Sequence, residues 1–269
     1  MDSENEQEDW LFVIKPKNKF LSLNLKEVWQ YRDLLFLFVK RDIITVYKQT
    51  VLGPLWYLIQ PLFTSLTFTI IFNNVAGIST GSVPPFLFNL AGITVWNYFT
   101  ACLNGTSDTF KANANVFGKV YFPRIITPLS IVISNLIKFG IQFLIFIAFY
   151  IFYYLKGVNL ILNGFAVFFP FLIITMGILG LGLGMLISSM ITKYRDFSYL
   201  VSFGIQLLMY LSAVMYPMAY IIETSRYILL NVGEVSVLGL VYTVSVAIII
   251  FFIGLLTFNR TEKSFIDTV

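Results

Sequence analysis

Histidine is absent from this chain of 269 residues, and cysteine occurs once, as Cys102. Those shortages exclude a zinc site built on His and Cys, a Cys–His nucleophilic pair and any intrachain disulfide. Charge is scarce too: Asp, Glu, Lys and Arg make up 12% of the residues, against roughly 25% in soluble domains. A water-soluble enzyme, a disordered chain and a nucleic-acid-binding domain are ruled out on that ground. No G-x-x-x-x-G-K-[ST] run is present to cradle nucleotide phosphates, because the glycine-rich stretch 177–184 has no Lys-Ser or Lys-Thr after it. No carboxylate pair or nucleophile motif stands out, so no catalytic residue is expected. Acidic side chains are missing from the centres of the apolar stretches, which argues against a proton-coupled carrier. A secretory leader is not expected either, since Asp2, Glu4, Glu6, Glu8 and Asp9 stand where a leader is basic.

What is plentiful is apolar surface, at 58% of residues. A bilayer-spanning helix needs roughly 20 mostly apolar residues, and six stretches qualify: about 55–75, 86–107, 128–154, 164–190, 198–217 and 235–258. Long continuous runs, rather than short alternating ones, exclude a β-barrel. The expected fold is an all-α integral membrane protein with six transmembrane helices, an N-terminal amphipathic interface helix, and short external re-entrant helices before the last span. Residues 1–54 form the N-terminal segment, 55–258 the membrane domain and 259–269 a tail. Six spans without internal repeats look like half a conduit, so a homodimer is expected.

Cations set the orientation. Lys15, Lys17, Lys19, Lys26, Arg32, Lys40, Arg41 and Lys48 precede the first span; Lys111, Lys119 and Arg124 follow the second; Lys193 and Arg195 follow the fourth; Arg260 and Lys263 follow the sixth. The opposite side holds Lys156 and Arg226. Both termini are therefore expected in the cytoplasm.

Residues 25–50 read as an amphipathic helix lying on the cytoplasmic face, with Leu25, Val28, Trp29, Leu35, Phe38 and Val39 on one side and charged residues on the other; a mere solubilising arm is the plain alternative. Gly53-Pro54 breaks it. The loop of about 108–127 has room for one short helix before Pro123. It mixes Phe117, Lys119, Tyr121, Phe122 and Arg124, the composition of a docking surface or of an interfacial anchor. Between the last two spans, 217–234 is too short and polar to span yet too apolar for a simple loop, and reads as one or two short re-entrant helices.

Within the third span, Asn135, Lys138 and Gln142 share one helical face. An intramembrane cation marks a functional path by default, although snorkelling and packing account for it equally well. In the fourth span, Gly177, Gly180, Gly182 and Gly184 cluster, and packing inside one subunit is favoured over a dimer contact. Aromatics reach 17%; a conduit lined by them would let sugar rings slide by stacking, with no single residue assignable to that role.

Three segments carry a resemblance to a known family: Leu25-Lys-Glu-Val-Trp-Gln-Tyr-Arg-Asp-Leu-Leu35 with Arg41-Asp-Ile, Tyr47-Lys-Gln-Thr-Val-Leu-Gly-Pro-Leu-Trp56 and Gln60-Pro-Leu62; Lys119-Val-Tyr-Phe-Pro-Arg124 with Pro128; and Phe258-Asn-Arg-Thr-Glu-Lys-Ser-Phe-Ile-Asp267. The chain resembles the membrane subunits of type-2 ABC exporters of lipid-linked polysaccharide (O-antigen, teichoic acid and capsule permeases). The resemblance implies several expectations. Arg32, Arg41, Tyr47, Lys48 and Trp56 would flank the cytoplasmic portal for the lipid-linked sugar. Asn113, Asn115, Phe117, Lys119, Tyr121, Phe122, Pro123 and Arg124 would belong to the coupling segment that docks on a separate ATPase. Apart from the resemblance, the shared face of Asn135, Lys138 and Gln142 makes them the candidates for the translocation path. The working form would be two permeases and two ATPases in the bacterial inner membrane, with ATP and Mg on the partner and no cofactor or metal in this chain. The cargo would be a glycan on undecaprenyl diphosphate, with membrane lipids around it and no nucleic acid involved. Many relatives have Asn-Pro before the last span, where this chain reads Asn231-Val232-Gly233. A type-2 permease for a drug or small lipid, and a membrane glycan-modifying enzyme relying on Glu223 and Glu234, are the alternatives.

Overall fold

The computed structural model describes residues 25–48, 53–117, 119–120, 122–194, 196–211 and 217–266. The acidic N-terminal stretch, Lys15 to Lys19, Tyr121 and Arg195 lie outside the described residues. Every element among them is helical. The expected interface helix is two pieces, α1 (Leu25–Gln30) and α2 (Arg32–Lys48). A turn at Tyr31 joins them, and its N–H to Glu27 and its carbonyl to Leu35 keep the helical register across the break. A 3-10 turn at Gly53–Leu55, with Gly53 at φ 46°, redirects the chain into α3 (Trp56–Phe68). This helix widens into a π-helical end, Thr69–Val75. The hydroxyls of Thr64, Thr67 and Thr69 each bond the carbonyl four residues back, a habit that loosens and bends helices.

The remaining helices are α4 (Pro85–Ser107), α5 (Thr109–Phe117), α6 (Ile126–Leu155), α7 (Phe169–Lys193, led in by a 3-10 turn at Gly164–Phe168), α8 (Phe197–Leu211), α9 (Met218–Leu230) and α10 (Val237–Ile266). Five segments among the described residues are long and apolar enough to cross a bilayer: α3 with its π-helical end, α4, α6, α7 with its 3-10 lead-in, and α10. The expected fifth span is the exception. Its α8 has 15 residues within the described part, or about 22 Å at 1.5 Å per residue, short of a ~30 Å hydrocarbon core. Residues 212–216 lie outside the described residues. The stretch 217–234 holds one short helix, α9, closed by Asn231 in the left-handed conformation at φ 53°, which Asn tolerates better than most residues. Past 258, where the tail was expected to begin, α10 continues as helix to Ile266.

At the centre stands α4, packed against α3, α6, α7 and α9, while α10 pairs with α7. Glycine makes both α7 contacts possible. A Cβ on Gly180 would lie 2.9 Å from the Cβ of Cys102 on α4. On the other face, a Cβ on Gly182 would lie 2.7 Å from Phe251 backbone atoms of α10, and one on Gly254 would collide with the Gly182 carbonyl. The cluster thus serves packing within one chain, the favoured reading of its spacing.

Candidate functional site

At the α5 end of the bundle, a second apolar cluster gathers Phe38 of α2, Phe110 and Phe117 of α5, Phe122, Ile126 of α6, Met185 of α7 and Leu255 and Phe258 of α10. Phe110 stacks on Phe258 with centroids 4.6 Å apart, and Phe117 lies 5.7 Å from Phe122. This cluster seats α5 against the ends of the spans and presents α2 alongside α6.

A cavity of about 360 Å³ opens beside it, between α2, α4, α5 and α6. Residues of three separately expected groups meet here: Arg41 of the interface helix, Asn113 of the coupling segment, and Asn135 and Lys138 of the third span. Arg41 lies over the Phe38 ring at 4.7 Å. Its Nη2 is 2.8 Å from Asp42 Oδ1, and its Nη1 donates to Asn113 Oδ1 at 3.3 Å. Asn113 is itself fixed by donating to the Thr109 carbonyl at 3.0 Å. Lys138 donates to Asn135 Oδ1 at 2.9 Å and sits 5.7 Å from the Tyr57 ring. It stands about 18 Å along α6 from Ile126 at 1.5 Å per residue. Gly105 and Ile131 close the wall; a Cβ on Gly105 would meet Ile131 Cγ2 at 2.6 Å. Two cations and one carboxylate leave the cavity net positive. Such a lining suits an anion, for which the cations would supply charge-assisted hydrogen bonds and the amides further partners.

The other expected residues are spread around this centre. Arg32 lies 5.6 Å from the Trp29 ring and 3.9 Å from Asp33, on the exposed side of α2. Lys48 and Trp56 are exposed, and the Tyr47 side chain lies outside the described residues. Gln142 is half-buried one turn beyond Lys138 and does not line the cavity. Asn115 and Lys119 are exposed and Pro123 is half-buried. Phe117, Phe122 and Arg124 turn inward instead: they are 6%, 3% and 7% exposed. Arg124 caps the Phe117 ring at 5.0 Å, and its Nη1 donates to the Glu262 main-chain carbonyl at 3.1 Å, with Glu262 Oε1 3.8 Å from Nε. Burial pushes the Arg124 guanidinium below its ordinary range, and the Glu262 carboxylate opposes that push. Arg124 thus ties the start of α6 to the C-terminal end of α10. Asp42 went unnoticed as a site residue, since an acid beside Arg41 in sequence carries no sign that both reach one cavity. No cluster of acidic, His or Cys side chains fit for a metal occurs among the described residues.

Residues 33–232 match the family described as ABC-2 type transporter. The chain is 27% identical to the O-antigen export system permease protein RfbA of Klebsiella pneumoniae over 266 residues, covering 92% of this chain and 99% of that one. A second Klebsiella pneumoniae protein of the same name is 26% identical, at 87% and 94% coverage. Its namesake in Myxococcus xanthus is 25% identical, at 75% of each chain.

Proposed function

Because the chain belongs to the ABC-2 type transporter family, we propose that it takes an O-antigen-like polysaccharide, borne on a lipid diphosphate such as undecaprenyl diphosphate, from the inner leaflet of the bacterial cytoplasmic membrane. It is a multi-pass membrane protein and the transport subunit of an ABC transporter, a family that works with an ABC ATPase. The cargo reading is supported by the three relatives named for O-antigen export. One observation carries the mechanism: Arg41, Asn113 and Lys138 line a single cavity.

In this mechanism the diphosphate enters that cavity and meets the Arg41 guanidinium and the Lys138 ammonium. Asp42 holds Arg41 in orientation, and Asn113 links it to α5. The exposed side of α5, with Lys111 and Asn115, docks on the ATPase. Closure of the ATPase pair, which holds ATP and Mg, moves α5, and the Arg41–Asn113 bond passes the motion to α2 and the bound headgroup. Both termini face the cytoplasm, as the cation bias requires. Two copies form the conduit. Exposed amides on apolar helices, Gln60 of α3 and Gln206 of α8, support that arrangement, since an amide facing lipid is costly.

The test is the pair Arg41→Gln and Lys138→Met in cells dependent on this protein. Each removes a charge-assisted hydrogen bond worth ~1.5–3 kcal/mol, or roughly 10- to 150-fold in headgroup affinity. Lipid-linked glycan is expected to accumulate on the inner leaflet while the ATPase still co-purifies. Wild-type export by the double variant overturns the mechanism.

A further inference from the structure

At the α9 end of the molecule, a recess of about 260 Å³ opens between the π-helical end of α3, α4, α8 and α9. Phe72, Phe88 and Trp96 supply aromatic walls, and Asn89, Glu223 and Arg226 supply polar groups. Arg226 is built in rather than draped over the surface. Its guanidinium lies 4.1 Å from the Phe88 ring centroid, in a niche that exists because residue 92 is glycine: a Cβ there would collide with the guanidinium. Its Nε is buried and has no hydrogen-bond partner among the described residues. Asn89 spends its N–H donors on Asn73 Oδ1 at 2.8 Å and Thr69 Oγ1 at 3.1 Å, which leaves its carbonyl oxygen as an acceptor.

The chemistry distinguishes two kinds of ligand. A phosphate would need net positive charge, and the carboxylate of Glu223 in the same recess cancels that of Arg226. A polyol needs a donor fork, neighbouring acceptors and a flat apolar wall. Arg226 is the fork, Glu223 and Asn89 are the acceptors, and the aromatic rings are the wall on which the C–H face of a pyranose stacks. The volume falls just below the ~300–1,000 Å³ of sites that take drug-sized ligands, so the recess suits one ring and not a length of chain. We propose that this recess is a single-sugar station, where one residue of the passing glycan is held by Arg226, Glu223 and Asn89 against Phe88 and Trp96. The proposal rests on the reading of the cargo as a glycan and adds to it a defined contact at the far end of the path.

The experiment uses the full permease with its ATPase in lipid nanodiscs, with Trp96 as the reporter. Methyl glycosides of common hexoses, 6-deoxyhexoses and N-acetylhexosamines are titrated while tryptophan emission is followed. A saturable change is expected with at least one glycoside, absent in Trp96→Phe and roughly tenfold weaker in Arg226→Gln and Glu223→Gln, the loss of one hydrogen bond to a charged group. Glu223 is exposed, so its variant reports on binding even where Arg226→Gln loosens α9. No saturable response to any glycoside overturns the station, as does an unchanged response in both variants. A response to inorganic phosphate or to phosphatidylglycerol vesicles in place of glycosides also overturns it. Export of glycan by a wild-type complex that binds no glycoside defeats the station alone. Failure of that complex to export any glycan defeats both the station and the cargo reading.

Discussion

Replacing Arg124 by alanine separates two roles that the sequence alone leaves merged. An exposed docking cation would, when removed, weaken ATPase binding and leave the permease itself untouched. The observed Arg124 is 7% exposed, bonds the Glu262 main-chain carbonyl at 3.1 Å and covers the Phe117 ring at 5.0 Å. A hydrogen bond to a charged group contributes ~1.5–3 kcal/mol and a cation–π contact ~0.5–2 kcal/mol. Arg124→Ala should therefore cost about 2–5 kcal/mol, or a fall of roughly 4–20 °C in melting midpoint at ~2–4 °C per kcal/mol. Glu262→Ala is the informative companion. It removes a carboxylate 3.8 Å from Nε whose side chain is 29% exposed, a pair worth ~0–1 kcal/mol, and it leaves the main-chain acceptor in place. The assay is thermal unfolding of purified permease in detergent, followed by ATPase co-purification from membranes. The expected order of melting points is wild type, then Glu262→Ala slightly lower, then Arg124→Ala far lower. A wild-type melting point for Arg124→Ala together with lost ATPase binding refutes the inward role; so does a larger loss in Glu262→Ala than in Arg124→Ala.

Three further outcomes are expected. Gly182→Ala should lower the melting point, by an overpacking cost of ~1–3 kcal/mol, because its Cβ lands 2.7 Å from the Phe251 backbone. Gly140→Ala and Gly204→Ala, with nothing within 4 Å of the new methyl, should hold the melting point or raise it, the stability gain reaching at most ~1 kcal/mol. On α5, Lys111→Glu with Asn115→Arg should reduce ATPase co-purification without moving the melting point, whereas Phe117→Ala, at a site 6% exposed, should destabilise the permease by ~3–5 kcal/mol. Gln142→Leu should export normally while Lys138→Met does not, measured as surface glycan, because only Lys138 lines the cavity.

Hydropathy and charge placement, both properties of the linear chain, determined that this is a membrane protein, where five of its spans run and that a short helix precedes the last one. Those signals are legible because transfer into a bilayer depends on local composition over about 20 residues. The loop expected over about 108–127 likewise holds α5. Which face of each helix meets protein was another matter. The windows of α3 and α4 have nearly the same hydropathy, yet 11% of one and 72% of the other are buried inside the protein. In water an apolar face points to the core, but lipid tails are as apolar as leucine, so the pattern does not distinguish core from lipid. For the same reason the glycines of α7 were readable as close contacts but not as contacts with α4 on one side and α10 on the other. Arg124 read as a surface cation until Phe117 and the Glu262 carbonyl enclosed it. Arg41, Asn113 and Lys138 are far apart in the chain, and only the packing of α2 against α6, with α5 held on α4 and α7, brings their polar ends to one cavity.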